Sequence, residues 1–128
     1  MTTTATAETT ELVSAYYDSW QKGIATFDRE RLGRILAEDF DFEGSIAGKR
    51  RGPSAGFIAG LQRFVEVLRP PIKVMHRLES GDQAAVLYEA VLPGGAMRFA
   101  EFFRIENGRI ASLQLMYDPA QYREFGGR

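Results

Sequence analysis

Met97-Arg98-Phe99-Ala100-Glu101-Phe102-Phe103-Arg104-Ile105, followed by Glu106-Asn107-Gly108-Arg109-Ile110, decides how the second half of this chain folds. Asn107-Gly108 is the strongest short hairpin signal, because both residues tolerate the positive φ of a tight two-residue turn. A strand over 97–105 therefore turns directly into another over 109–117. Side chains alternate across a strand. Phe99, Glu101, Phe103 and Ile105 share one face, and Arg98, Ala100, Phe102 and Arg104 share the other. Glu101 is then a carboxylate set in a row of large apolar residues. Ionised and unpartnered, it would be costly to bury. It must be paired with an arginine, hydrogen-bonded to Tyr16 or Tyr17, or protonated, and such a group is a candidate site residue.

Two further strands precede this hairpin, over 72–78 and 84–92. Ser80-Gly81-Asp82 and Pro93-Gly94-Gly95 mark the turns. The four strands form an antiparallel meander. Strict alternation puts Ile72, Val74, His76 and Leu78 on one face, which directs His76 toward the core or a pocket. Glu89, beside Ala85, Leu87 and Val91, is expected to pair across the sheet. Phe102 on the outer face suggests a contact surface, and hence a homodimer.

The front half reads helical. From 8 to 23 the apolar positions Leu12, Val13, Tyr16, Tyr17, Trp20 and then Ile24 follow the spacing of an amphipathic helix, with Gly23 as its stop. Asp28 is placed to cap a second, short helix buried through Leu32, Ile35 and Leu36. Phe40-Asp41-Phe42-Glu43 alternates with period two and predicts a short strand. Gly44 to Gly52 reads as a loop carrying Lys49-Arg50-Arg51. Pro53 opens a third helix with the stripe Phe57, Ile58, Leu61, Phe64, Val65 and Leu68, ended by Pro70-Pro71. Helix, helix, strand, helix and meander make an α+β chain, with three helices packed on one face of a curved antiparallel sheet.

Composition narrows the function. The chain has 128 residues, the size of one domain, and a formal net charge of −1. That balance gives no reason to expect nucleic acid or an anionic membrane. There is no cysteine and one histidine, which excludes thiolate chemistry, disulfides and His-rich metal sites. No Walker loop, dinucleotide-binding glycine motif or nucleophile elbow is present. No metal or organic cofactor is implied. The start lacks the features of a secretory signal, so a cytoplasmic protein is expected. Residues 1–7 read as a disordered polar lead-in, 8–122 as the domain and 123–128 as a tail.

The order of elements, with Tyr16, Tyr17 and Trp20 on the first helix, resembles the nuclear transport factor 2-like superfamily over about residues 8–122. Its members include ketosteroid isomerases, limonene epoxide hydrolases, SnoaL-like polyketide cyclases and non-catalytic binding domains. The resemblance implies a cone-shaped fold enclosing an apolar pocket for a small hydrophobic molecule. Glu101-Phe102-Phe103-Arg104-Ile105 with Gly108-Arg109-Ile110 is similar to the third meander strand of ketosteroid isomerase. On that resemblance Glu101 falls on the protonated acid that donates to the substrate oxygen, and Tyr16, with Tyr17 as the alternative, falls on the oxyanion-hole tyrosine. Tyr117 falls on an aromatic pocket wall. The isomerase base falls on Gly44, so the base is missing. The last-strand aspartate of the epoxide hydrolases falls near Leu115. His76 and Asp118 are candidate proton carriers, Asp118 doubling as a turn or capping residue. Expected walls are Tyr17, Trp20, Phe57, Leu61, Phe64, Val74, Tyr88, Phe99, Phe103, Leu113 and Tyr117. An isomerase, cyclase, lyase or epoxide hydrolase, and a non-catalytic ligand-binding or dimerisation module, are both compatible with this reading.

Overall fold

The computed structural model describes residues 5–128. Helix α1 spans Thr6–Asp18 and α2 Arg29–Ile35. Strands β1 (Leu36–Gly44) and β2 (Gly48–Pro53) follow, then α3 (Ser54–Val67). The meander is β3 (Arg69–Ser80), β4 (Gln83–Leu92), β5 (Gly95–Glu106) and β6 (Arg109–Met116), and α4 (Pro119–Glu124) closes the chain. The expectation for Met1–Thr4 lies outside the described residues. The sheet runs β2-β1-β6-β5-β4-β3. The meander is antiparallel as read, but β1 lies parallel to β6, so the sheet is mixed. No helix among the described residues is long and apolar enough to cross a membrane.

Local chemistry accounts for most of these elements. Asn107 and Gly108 take φ of 52° and 73° between β5 and β6, the two positive values a type I′ turn needs. Asp28 caps α2, its carboxylate accepting from the Arg31 N–H at 3.0 Å. The α3 stripe is buried as its period requires: Ile58, Leu61, Phe64 and Val65 face inward and Leu68 follows them.

Three expectations fail for physical reasons. The first helix ends at Asp18, not Gly23; Gly23, with φ 102°, sits beyond it in the turn. The stripe therefore stops at Trp20, and Ile24 is exposed. Lys49-Arg50-Arg51 is not a loop. It pairs with Glu43, Phe42 and Asp41 as an edge strand, and Arg51 binds Asp39 at 2.9 Å. The third is at β3, where the register shifts between Val74 and His76. Val74 pairs with the inward Tyr88, but His76 pairs with Leu87 on the outer side. The shift leaves Met75 as an extra residue, and such a bulge reverses every face beyond it. His76 is exposed and Leu78 is 72% exposed.

Under the sheet, α1 lies against β3 and β4, and α3 against β1. Val13, Tyr16, Tyr17 and Trp20 join the inward row of β5 in one continuous core. Residues 123–128 fold back on the domain: the Gly94 N–H donates to the Phe125 carbonyl at 2.9 Å and the Tyr122 hydroxyl to that of Arg128 at 2.9 Å.

Candidate ligand site

Glu101 points inward, as alternation requires, and is 2% exposed. Its neighbours across the sheet are Val86 and Leu115, so no cation stands beside it in the ladder. Its partners come from α1. The Tyr17 hydroxyl donates to Glu101 Oε1 at 2.7 Å, and the Tyr16 hydroxyl lies at 3.5 Å from Oε2. One carboxylate oxygen is thus firmly held and the other loosely. Consecutive helix residues point about 100° apart, yet the carboxyl group is broad enough to meet both phenols.

Burial pushes the Glu101 carboxyl up to about 7, while the hydrogen bonds from Tyr17 and Tyr16 pull it down. Burial, and then the Glu101 charge, raise Tyr16, Tyr17 and Tyr88 well above the ordinary tyrosine range. These phenols stay protonated, as donors. The indole Nε1 of Trp20 has no hydrogen-bond partner.

A cavity of about 660 Å³ opens beside this pair, within the ~300–1,000 Å³ usual for small-molecule sites. Glu101 and Tyr16 lie at its buried end, and Tyr88, stacked on Phe99 at 5.2 Å, stands beside them. Phe57, Leu61, Phe64, Phe99 and Tyr117 line this cavity. Tyr17 stands behind Glu101 and is not a wall. Trp20 is wholly buried beneath Tyr16, at 5.9 Å between ring centroids. Phe103 and Leu113 belong to the core, Phe103 packing edge-on against Tyr16. Val74 is 43% exposed and lines nothing here.

Neither expected proton carrier reaches the cavity. The β3 bulge turns His76 outward. Asp118 is exposed and caps α4, accepting from the N–H groups of Ala120 and Gln121 at 3.0 and 3.2 Å. Residues the sequence reading passed over also line the cavity: Phe40, Phe42, Leu115, Tyr122, Arg50 and Arg63. The first two alternate on β1, and Leu115 continues the Leu113/Tyr117 face. Asp118-Pro119 is a helix-start signature that would have placed Tyr122 on α4. Gly44 also lines the cavity, with the Phe42 ring folded over it; a Cβ there would stand 2.8 Å from that ring.

A larger, more open hollow of about 1,050 Å³ lies on the outer face of the sheet, among Leu78, Ala85, Phe102 and Arg104. It holds none of the tyrosine–glutamate chemistry. Among the described residues no group of three or more His, Cys, Asp or Glu side chains is placed to hold a metal ion.

The SnoaL-like domain family matches residues 13–113, and the chain belongs to that family. Its fold is nuclear transport factor 2-like. An NTF2-like protein of unknown function from Cytophaga hutchinsonii superposes with TM-score 0.74 at 22% identity, covering 91% of this chain and 95% of that one. A steroid delta-isomerase from Pseudomonas aeruginosa gives 0.75 at 19% identity, over 94% and 87%. A de novo designed protein with a curved β-sheet gives 0.70 at 20% identity, over 91% and 90%. At these identities the likeness is one of fold alone, and the designed protein makes the same point. No curated protein matches the chain.

Proposed function

We propose that this protein binds a small hydrophobic molecule through one oxygen atom, a carbonyl, epoxide or hydroxyl, held by Glu101 and Tyr16. The observation that carries this reading is the placement of Glu101. It is a buried carboxyl with no ion pair among the described residues, backed by Tyr17 and lining the cavity. In its protonated form Oε2 donates a hydrogen bond, and Tyr16 supplies a second donor. Two donors fixed around one oxygen stabilise negative charge developing on it, because they need no reorganisation. That is the electrostatic half of a cofactor-independent isomerase, cyclase, lyase or hydrolase.

One feature favours binding without turnover. Among the described residues Glu101 is the only carboxylate side chain lining the cavity, and the Phe42 ring covers Gly44, where the isomerase resemblance would put a base. Proton abstraction would then fall to Glu101 itself or to water. We further propose a homodimer through the outer sheet face. Leu78, Ala85 and Phe102 are aligned across β3, β4 and β5, and Leu78 and Phe102 are exposed.

The test uses two probes. 2-Naphthol reports binding by its fluorescence, and 2-tetralone in deuterated water reports α-proton exchange by NMR. Binding of both, weakened by Glu101→Gln without loss of folding, is expected. Exchange that depends on Glu101 makes the protein a catalyst, and binding without exchange makes it a ligand-binding module. If neither probe binds at millimolar concentration, the reading fails.

A further inference from the structure

The mouth of the cavity has a chemistry that its floor does not explain. Its exposed lining includes Arg50 on β2 and Arg63 on α3. Arg50 pairs in register with Phe42 and so shares the cavity face of the sheet. Arg63 lies one turn after Gly60 and two after Phe57, on the helix face that lines the cavity. Its charge reaches the Tyr122 phenol, another lining residue, and lowers the pKa of that group against the effect of burial. The two cations therefore stand on separate elements around one opening.

Arg51, the next residue along β2, also lines the cavity, but its guanidinium is held by Asp39 and Asp41. Among the described residues, Arg50 and Arg63 make no ion pair. Among the described residues the single carboxyl side chain in the lining is Glu101, at the far end; Arg128 also lines the cavity, its carbonyl accepting from the Tyr122 hydroxyl. Between the ends the walls are Phe40, Phe57, Leu61, Phe64 and Leu115. The cavity thus runs from a cationic rim, through an apolar waist, to a floor where Glu101 and Tyr16 offer hydrogen bonds to an oxygen.

Resting on the site proposed above, we propose that the natural ligand is an amphipathic monoanion: a hydrophobic carboxylic acid whose carboxylate lies between Arg50 and Arg63 and whose uncharged oxygen reaches Glu101 and Tyr16. Guanidinium groups suit this task, since each can meet a carboxylate with two parallel hydrogen bonds. A neutral steroid-like ligand would leave both arginines without a partner in the complex.

A matched pair of probes tests the assignment. 6-Hydroxy-2-naphthoic acid carries a carboxylate at one end and a hydroxyl at the other, and its methyl ester differs only in charge. At pH 7.5 and low salt the acid is expected to bind about tenfold more tightly than the ester, the scale of two partly exposed charge-assisted contacts. The Arg50→Gln/Arg63→Gln double variant brings the acid down to the affinity of the ester, and added salt weakens the acid alone. Because both arginines are exposed, melting temperatures should hold. Equal binding of acid and ester, both weakened by Glu101→Gln, overturns this inference and leaves the proposed site standing. A preference for the acid that survives the double variant also overturns it. Failure of both probes to bind overturns both readings.

Discussion

Tyr17 and Glu101, 84 residues apart in the chain, are joined by a 2.7 Å hydrogen bond inside the core. The bond ties the first helix to the central strand pair. It also holds one oxygen of a carboxyl group that lines a cavity.

Glu101 makes stability depend on pH. Its folded value is about 7, against 4.5 for an unhindered glutamate. A carboxyl raised in this way contributes its stability in full below about pH 4.5, and that contribution is lost as pH rises through about 7. The loss is on the order of 3 kcal/mol by linkage. Melting temperatures of wild type and Glu101→Gln, compared from pH 4.5 to 8.5, should therefore converge at the acid end. The variant should become the more stable protein at the alkaline end. Parallel curves would mean that Glu101 titrates normally.

The two tyrosines should separate in mutation. Tyr17→Phe removes the short bond and strands Oε1, costing about 1–2 kcal/mol, with the larger loss at pH 8, where the carboxylate is ionised. Removing a bond that lowers the Glu101 value also moves the pH midpoint upward. Tyr16→Phe removes a 3.5 Å contact and should cost less stability. It should weaken 2-naphthol binding instead, because Tyr16 lines the cavity and Tyr17 does not. Denaturant titration and fluorescence binding on the two variants check this division.

Gly44 and Phe42 should be coupled. A Cβ at position 44 stands 2.8 Å from the Phe42 ring, so Gly44→Ala forces the ring aside and should cost about 1–2 kcal/mol. In a Phe42→Leu background the same substitution should cost distinctly less. A double-mutant cycle measures the difference, and additive effects would count against the contact.

Leu78→Glu with Phe102→Glu should convert a dimer to a monomer without lowering the melting temperature of the isolated fold. Both side chains are exposed in the single chain, at 72% and 44%. Sedimentation of wild type and variant reads the state directly. A wild type that is already monomeric would end the dimer proposal.

What the sequence determined by itself was local. The Asn107-Gly108 turn, the Asp28 cap and the α3 stripe follow from the backbone preferences of neighbouring residues. So does the inward face of β5, because alternation along one uninterrupted strand needs no knowledge of its partners. Glu101 was therefore legible as a buried carboxyl, and Tyr16 and Tyr17 as residues of the same core. The tertiary structure decided whatever depends on pairing between distant segments. The bulge at Met75 arises from matching β3 to β4, and it moved His76 and Leu78 to the outer face. Arg50 reached the rim only because 48–53 pairs with β1, an edge-strand role that its charged residues gave no local reason to expect. The choice between Tyr17 and Tyr16 as the closer partner of Glu101 rests on how α1 is rotated against the sheet. Packing sets that rotation, and both residues satisfy the helical period equally well.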